Sequence, residues 1–135
     1  MPQLQESIAK AQAAMKSAGI KAIILEPGPA MLHLTGVRWG RSERTFVVVL
    51  AASGDPAYVV AGFEEQRARE LIRVGRTIRV WQEEESPFAL IVEILKELGV
   101  TSGKVGVEDT VRFFVFDGVR QLAPKLDYVS TRLPL

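Results

Sequence analysis

Residues 32–50, LHLTGVRWGRSERTFVVVL, carry the most informative pattern in the chain. An apolar turn ends at Gly36 and runs into a loop that holds Arg38, Trp39, Gly40, Arg41 and Arg44. The loop then feeds an unbroken apolar strand, residues 46–50. Guanidinium groups and a large ring on a glycine-flanked loop are poor material for a core. They are good material for gripping something planar or anionic.

On either side of this stretch the pattern resolves into regular elements. Leu4, Ile8, Ala11, Met15 and Ala18 recur at helical spacing and Gly19 follows as a helix stop, so an amphipathic helix opens the chain. Residues 21–25 (KAIIL) form a short strand ended by Glu26-Pro27-Gly28-Pro29. Pro29 suits the first turn of a brief helix that passes Leu34 and closes at Gly36. Ser53-Gly54-Asp55-Pro56 is a turn cluster, and residues 57–60 are the returning strand of a hairpin. Residues 63–73 are helical in pattern, with Glu65 and Arg69 in the favourable i,i+4 order. Residues 77–81 alternate as a strand, and Glu83-Glu84-Glu85 is a solvated lead-in to Ser86-Pro87, a cap followed by proline at the first helical position. Phe88, Ile91, Leu95 and Leu98 line one face of that helix, and Gly99 stops it.

Residues 104–108 make another strand. Asp109 or Thr110 can cap a last helix to about Leu122, although residues 112–116 (RFFVF) also read as a strand and turn. Residues 126–129 close as a strand. The expectation is a single α/β domain over residues 1–135, a mixed β-sheet with helices on both faces. The tail, residues 130–135, reads as the frayed end of a domain or a cut inside a longer protein.

Composition narrows the function. Lys plus Arg number 17 against 16 Asp plus Glu, a net charge of +1, so the basic excess of a protein that neutralises many phosphates is missing. No nucleic-acid partner is expected. There is no cysteine, which excludes disulfides, thiolate metal sites and cysteine nucleophiles. The polar start (Gln3, Gln5, Glu6) lacks the apolar core of a signal peptide, and no apolar run approaches the roughly 20 residues of a membrane span. We expect a soluble, cytoplasmic domain.

No complete catalytic set stands out. His33, the only histidine, falls between Leu32 and Leu34, where a packed or hydrogen-bonded imidazole is the favoured reading over a catalytic one. No His-Glu-x-x-His pair or tight carboxylate cluster offers a metal site, and no serine lies in a Gly-x-Ser-x-Gly elbow. Thr101-Ser102-Gly103-Lys104 lacks P-loop spacing and precedes a strand, so it is a turn. Arg38, Arg41 and Arg44 either form a solvated loop that pairs with Glu43 or act as a clamp. In a clamp, guanidinium bonds a carboxylate or phosphate and the Trp39 ring supplies an apolar wall. Arg67, Arg69, Arg73, Arg76 and Arg79, interleaved with Glu64, Glu65 and Glu70, read as a charged helix face with its neighbouring strand end.

Taken in order, these segments resemble the N-terminal domain of Xaa-Pro dipeptidases and aminopeptidases, the prolidase/creatinase family. The matching features are the opening helix, Ile20-Lys21-Ala22-Ile23-Ile24-Leu25, and Leu32-His33-Leu34-Thr35-Gly36 where the family has Tyr-Leu-Thr-Gly. The strand at residues 46–50, the hairpin, Phe63-Glu64, Val80-Trp81 and Lys104-Val105-Gly106-Val107-Glu108 follow. The resemblance implies a parent whose C-terminal pita-bread domain holds two divalent metal ions (Mn, Co or Zn) for hydrolysis of an Xaa-Pro bond. This chain would hold no ligand of its own and be catalytically silent. It also implies a homodimer in which this domain lends a loop to the neighbouring active site. Trp39-Gly40-Arg41 resembles the Phe-Gly-Arg segment of creatinase-like members. By that match Trp39 walls the pocket and Arg41 holds a substrate carboxylate, with Arg38 and His33, in the Tyr position, completing the substrate-binding set. The alternative is the same fold kept without catalysis as a peptide- or protein-binding module.

Overall fold

Side-chain alternation in three strands sets the layers. In β1 (Ile20–Leu25), Ile23 and Leu25 point to one face while Ala22 and Ile24 point to the other. In β2 (Val47–Ala51) and β3 (Ala57–Ala61), Val48, Leu50, Tyr58 and Val60 join the first set, and Val47, Val49, Ala57 and Val59 the second. Every residue of β2 and β3 is buried, so this part of the sheet needs a helix layer on each side. The computed structural model describes residues 2–131. The expectation for the tail beyond Thr131 therefore lies outside the described residues.

The six-stranded sheet has the order β4-β3-β2-β1-β5-β6, with β4 at Thr77–Trp81, β5 at Lys104–Val107 and β6 at Asp127–Ser130. The β1–β2 and β2–β3 pairs are antiparallel and the other three are parallel, so the sheet is mixed as expected. The first face is covered by α1 (Pro2–Ala18), α2 (Pro29–Thr35) and α3 (Glu65–Leu71), through Ile8, Ala11, Met15, Met31, Leu34 and Ala68. The second is covered by α4 (Pro87–Glu97) and α5 (Phe113–Leu122), through Ile91, Ile94, Leu95, Val115 and Val119.

Local chemistry fixes the ends of these elements. Gly36 closes α2 at φ +75° and its N–H reaches the Leu32 carbonyl at 2.9 Å. Ser86 Oγ accepts the Ala89 N–H at 3.2 Å, with Pro87 opening α4. Gly75 has φ +93°, and a Cβ there would lie 2.3 Å from the Pro56 carbonyl oxygen, so the turn into β4 tolerates only glycine.

Three expectations are corrected. The segment at residues 63–73 is not one helix: a 3-10 turn, Gly62–Glu64, precedes α3, and Ile72 is already extended. Leu98 is 39% exposed, because it follows the last turn of α4, and Val92 and Ile94 take its place in the apolar face. The last helix is not capped by Asp109 or Thr110. Glu108 takes the Thr110 N–H and hydroxyl at 2.7 and 2.5 Å, which folds residues 108–111 into a turn, and α5 starts at Phe113. The RFFVF run thus enters the helix instead of a strand.

Tyr58 links the hairpin to the turn before β4. It is fully buried and its hydroxyl donates to the Val74 carbonyl at 2.6 Å. Burial, reinforced by Asp55, pushes its phenol well above the usual range. Tyr58→Phe strands that carbonyl and should cost about 1–3 kcal/mol in urea unfolding at pH 7. The fold favours the neutral phenol, so its share of stability is intact below the ordinary pKa of about 10 and is lost as pH climbs past it. Unfolding series above pH 10 should therefore fall more steeply for the native chain than for Tyr58→Phe.

Candidate functional site

Strands β1, β3, β4, β5 and β6 all run the same way, so their C-terminal ends share one edge of the sheet. Strand β2 begins at that edge, which places the 36–46 loop beside the turns that follow β1 and β5. Connections at the carboxyl ends of such strands are where α/β folds place ligand-binding groups.

The centre of this edge is charged but dry. Glu26, the first residue after β1, is completely buried. Its Oε1 accepts the Arg112 main-chain N–H at 2.8 Å, and its Oε2 accepts Arg112 Nη2 at 2.6 Å. Arg112 Nε lies 3.2 Å from both oxygens. The ion pair ties the end of β1 to the start of α5 across 86 positions of sequence. Arg112 also sits 4.8 Å from the centre of the Phe114 ring. Neither partner was singled out in the sequence. The one signal was a carboxylate set directly between an apolar strand and Pro27-Gly28-Pro29.

The loop is anchored by its own apolar residues. Val37, Trp39 and Phe46 are buried, and the Trp39 ring stacks on Phe46 with centroids 4.3 Å apart and planes at 20°. The expectation that this tryptophan is poor core material is corrected: it is 8% exposed and belongs to the core under α1 and α2. Arg67 of α3 lies over the outer side of the ring, 4.9 Å from its centre. Further along, the Thr45 carbonyl accepts the Trp81 indole N–H at 3.1 Å.

The other sequence candidates divide. Arg41 is exposed, and its Nη2 donates to the Thr110 carbonyl at 2.5 Å, with the Pro27 carbonyl at 3.5 Å. Arg38 is exposed and makes no hydrogen bond or ion pair among the described residues. His33 is exposed on the last turn of α2, not packed as expected, because that face of the helix turns away from the sheet. Glu43 pairs with none of the loop arginines among the described residues. Arg44 instead lies 4.3 Å from the centre of the Phe63 ring, which is 75% exposed. Beside them a groove of about 510 Å³ opens between Arg44, Phe63, Trp81 and Gln82. The expected charged face on α3 is present, with Arg69 Nε 2.8 Å from Glu65, but Arg79 on β4 is not part of it: it pairs with Glu97 of α4.

The loop therefore presents Arg38 and Arg41 beside the stacked Trp39 and Phe46 rings, while His33 is exposed on α2. Its exposed guanidinium groups suit an anionic partner. The divalent metals that the resemblance implies do not fit these residues: among the described residues no three His, Asp or Glu side chains gather at a metal-holding spacing.

A family model described as Creatinase/Prolidase N-terminal domain matches residues 8–133. The probable dipeptidase PepE of Mycobacterium tuberculosis (strain ATCC 25618 / H37Rv) is 30% identical over 90 residues, 65% of this chain and 24% of the relative. The chain thus spans about a quarter of the length of the curated relatives it matches. Among solved structures, a dipeptidase from Pyrococcus horikoshii OT3 superposes with TM-score 0.79 and 26% identity, over 92% of this chain and 33% of that one. The N-terminal domain of an X-Pro dipeptidase from Streptococcus pyogenes matches over 92% of this chain and 99% of its own length, with TM-score 0.74 and 17% identity. At that identity the likeness shows the fold alone.

The different burial of neighbouring loop residues is testable. Trp39→Ala should cost about 3–5 kcal/mol in denaturant unfolding, the range for deleting a buried aromatic side chain. Arg38→Ala should stay within about 0.5 kcal/mol of the parent sequence, as for an unpartnered surface residue.

Proposed function

The chain belongs to the creatinase/prolidase N-terminal domain family, and from that premise we propose that it is the non-catalytic N-terminal domain of a metal-dependent Xaa-Pro dipeptidase or aminopeptidase, cytoplasmic and dimeric. Its own C-terminal catalytic domain is its first partner and supplies the two metal ions and the hydrolytic water. The 36–46 loop is its contribution to substrate binding in the neighbouring subunit's active site. In this role Arg41 takes the substrate carboxylate, Arg38 adds positive charge and His33 a ring nitrogen beside it, and Trp39 carries the loop from beneath. The observation that supports the reading is the loop itself. Its cationic side chains stand in solvent at the carboxyl edge of the sheet while its tryptophan is locked against Phe46.

The longer relatives support a parent of more than one domain, since the chain covers 33% of the Pyrococcus horikoshii structure. In such a parent, Arg41→Ala should lower kcat/KM for dipeptides with a free C-terminal carboxylate by roughly ten- to a hundredfold, the loss of one charge-assisted hydrogen bond. C-terminally amidated substrates, which share only the effect of a loosened loop, should lose several-fold less than the free acids. Equal losses on both would remove Arg41 from this role.

A further inference from the structure

Eleven residues of irregular chain, 36–46, separate α2 from β2, and each ordered residue must offset its lost freedom. The contacts that hold them are unevenly spread. At the entry, Thr35 Oγ1 accepts the Val37 N–H at 3.2 Å, and Trp39 stacks on Phe46. At the exit, Ser42 Oγ accepts the Arg44 N–H at 3.1 Å, and the Thr45 carbonyl is held by Trp81. Between Trp39 and Ser42, the side chain that crosses to another element is Arg41. Its acceptors are the main-chain carbonyls of Thr110 and Pro27, the turns after β5 and β1. The first of these turns is shaped by Glu108, which binds Thr110, and is closed by Arg112 on Glu26. The second directly follows Glu26.

We propose that Arg41 is the positioning residue of the loop, clamping its tip to a platform whose two carbonyls are placed by the ion pair of buried Glu26 with Arg112. A guanidinium has five N–H donors. Only Nη2 is committed among the described residues, so Nε and Nη1 stay free to bond an anion while the loop stays anchored. Arg41 thus serves two partners at once: neutral carbonyls that fix its place and an external carboxylate that it receives already oriented. Preorganisation of this kind lowers the ordering cost at binding. The identity of the external anion rests on the functional reading above; the anchoring does not.

Amide hydrogen exchange on this chain tests it, with neither substrate nor second subunit present, so it can fail while the substrate reading stands, and the reverse. In Arg41→Ala, exchange at residues 38–44 should rise about tenfold, while β1, β2 and β3 keep their protection. The Trp39 indole N–H signal, assigned by its loss in Trp39→Phe, should shift toward its unfolded position. Arg41→Lys, which still reaches a carbonyl, should recover protection to within about threefold. Glu26→Gln should loosen residues 108–112 and, with them, 38–44; if it does not fold, Arg112→Lys serves as the milder variant. Loop exchange within twofold of the native chain in Arg41→Ala overturns the proposal. A rise in Arg41→Ala with none in the Glu26 or Arg112 variants overturns the part assigned to the buried pair.

Discussion

A carboxylate with no access to water sits at the end of the sheet's central strand, and everything at that edge is arranged around it. Burying Glu26 is unfavourable on its own, since an unpaired charge in a dry interior costs several kcal/mol. Arg112 answers it with its main-chain N–H and two guanidinium nitrogens, a geometry that satisfies both oxygens. The pair sets where α5 begins and holds the β5–α5 turn against the β1–α2 turn. Those two turns carry the carbonyls that receive Arg41. The exposed guanidinium of the loop and the half-buried guanidinium that precedes α5 are therefore parts of one framework, the second placing the first.

Around that framework the sheet supplies rigidity. The apolar runs of β1, β2 and β3 are buried on both faces, so neither helix layer can slide without exposing a row of Val, Ile and Leu. The antiparallel β1–β2 pair brings the start of β2 to the carboxyl edge, and the loop before β2 inherits that position. Phe46 extends the core to the loop's last residue, and Trp39 rests on it. A loop that is irregular in backbone is thus fixed at both ends by core side chains, and the cationic groups between them are displayed rather than buried.

Much of this was readable in the residues. Proline and glycine punctuation around α2, the Ser86-Pro87 start of α4 and the all-apolar strands are local signals, and the elements fall where those signals stand. What local signals cannot carry is partnership across the sequence. Nothing near Glu26 announces Arg112, 86 positions away, and without that partner the local caps Asp109 and Thr110 point to a helix start ahead of Phe113. Trp39 looked displayed because its neighbours are arginines and glycine. Only the position of Phe46, brought alongside by the turn of the loop, shows that the ring is a core residue. His33 looked packed because Leu32 and Leu34 flank it, but α2 is one short helix whose outer face turns to solvent, and His33 lies on it.

The most direct test is a double-mutant cycle on the buried pair. Unfolding free energies of the native chain, Glu26→Gln, Arg112→Met and the double variant give the coupling between the two side chains. If the pair organises the carboxyl edge, the coupling should reach about 2 kcal/mol or more, with Arg112→Met, which strands a buried carboxylate, losing about 3–5 kcal/mol and Glu26→Gln, which leaves a partly hydrated guanidinium, losing less. A coupling below about 0.5 kcal/mol, the range of solvent-exposed ion pairs, would contradict the account.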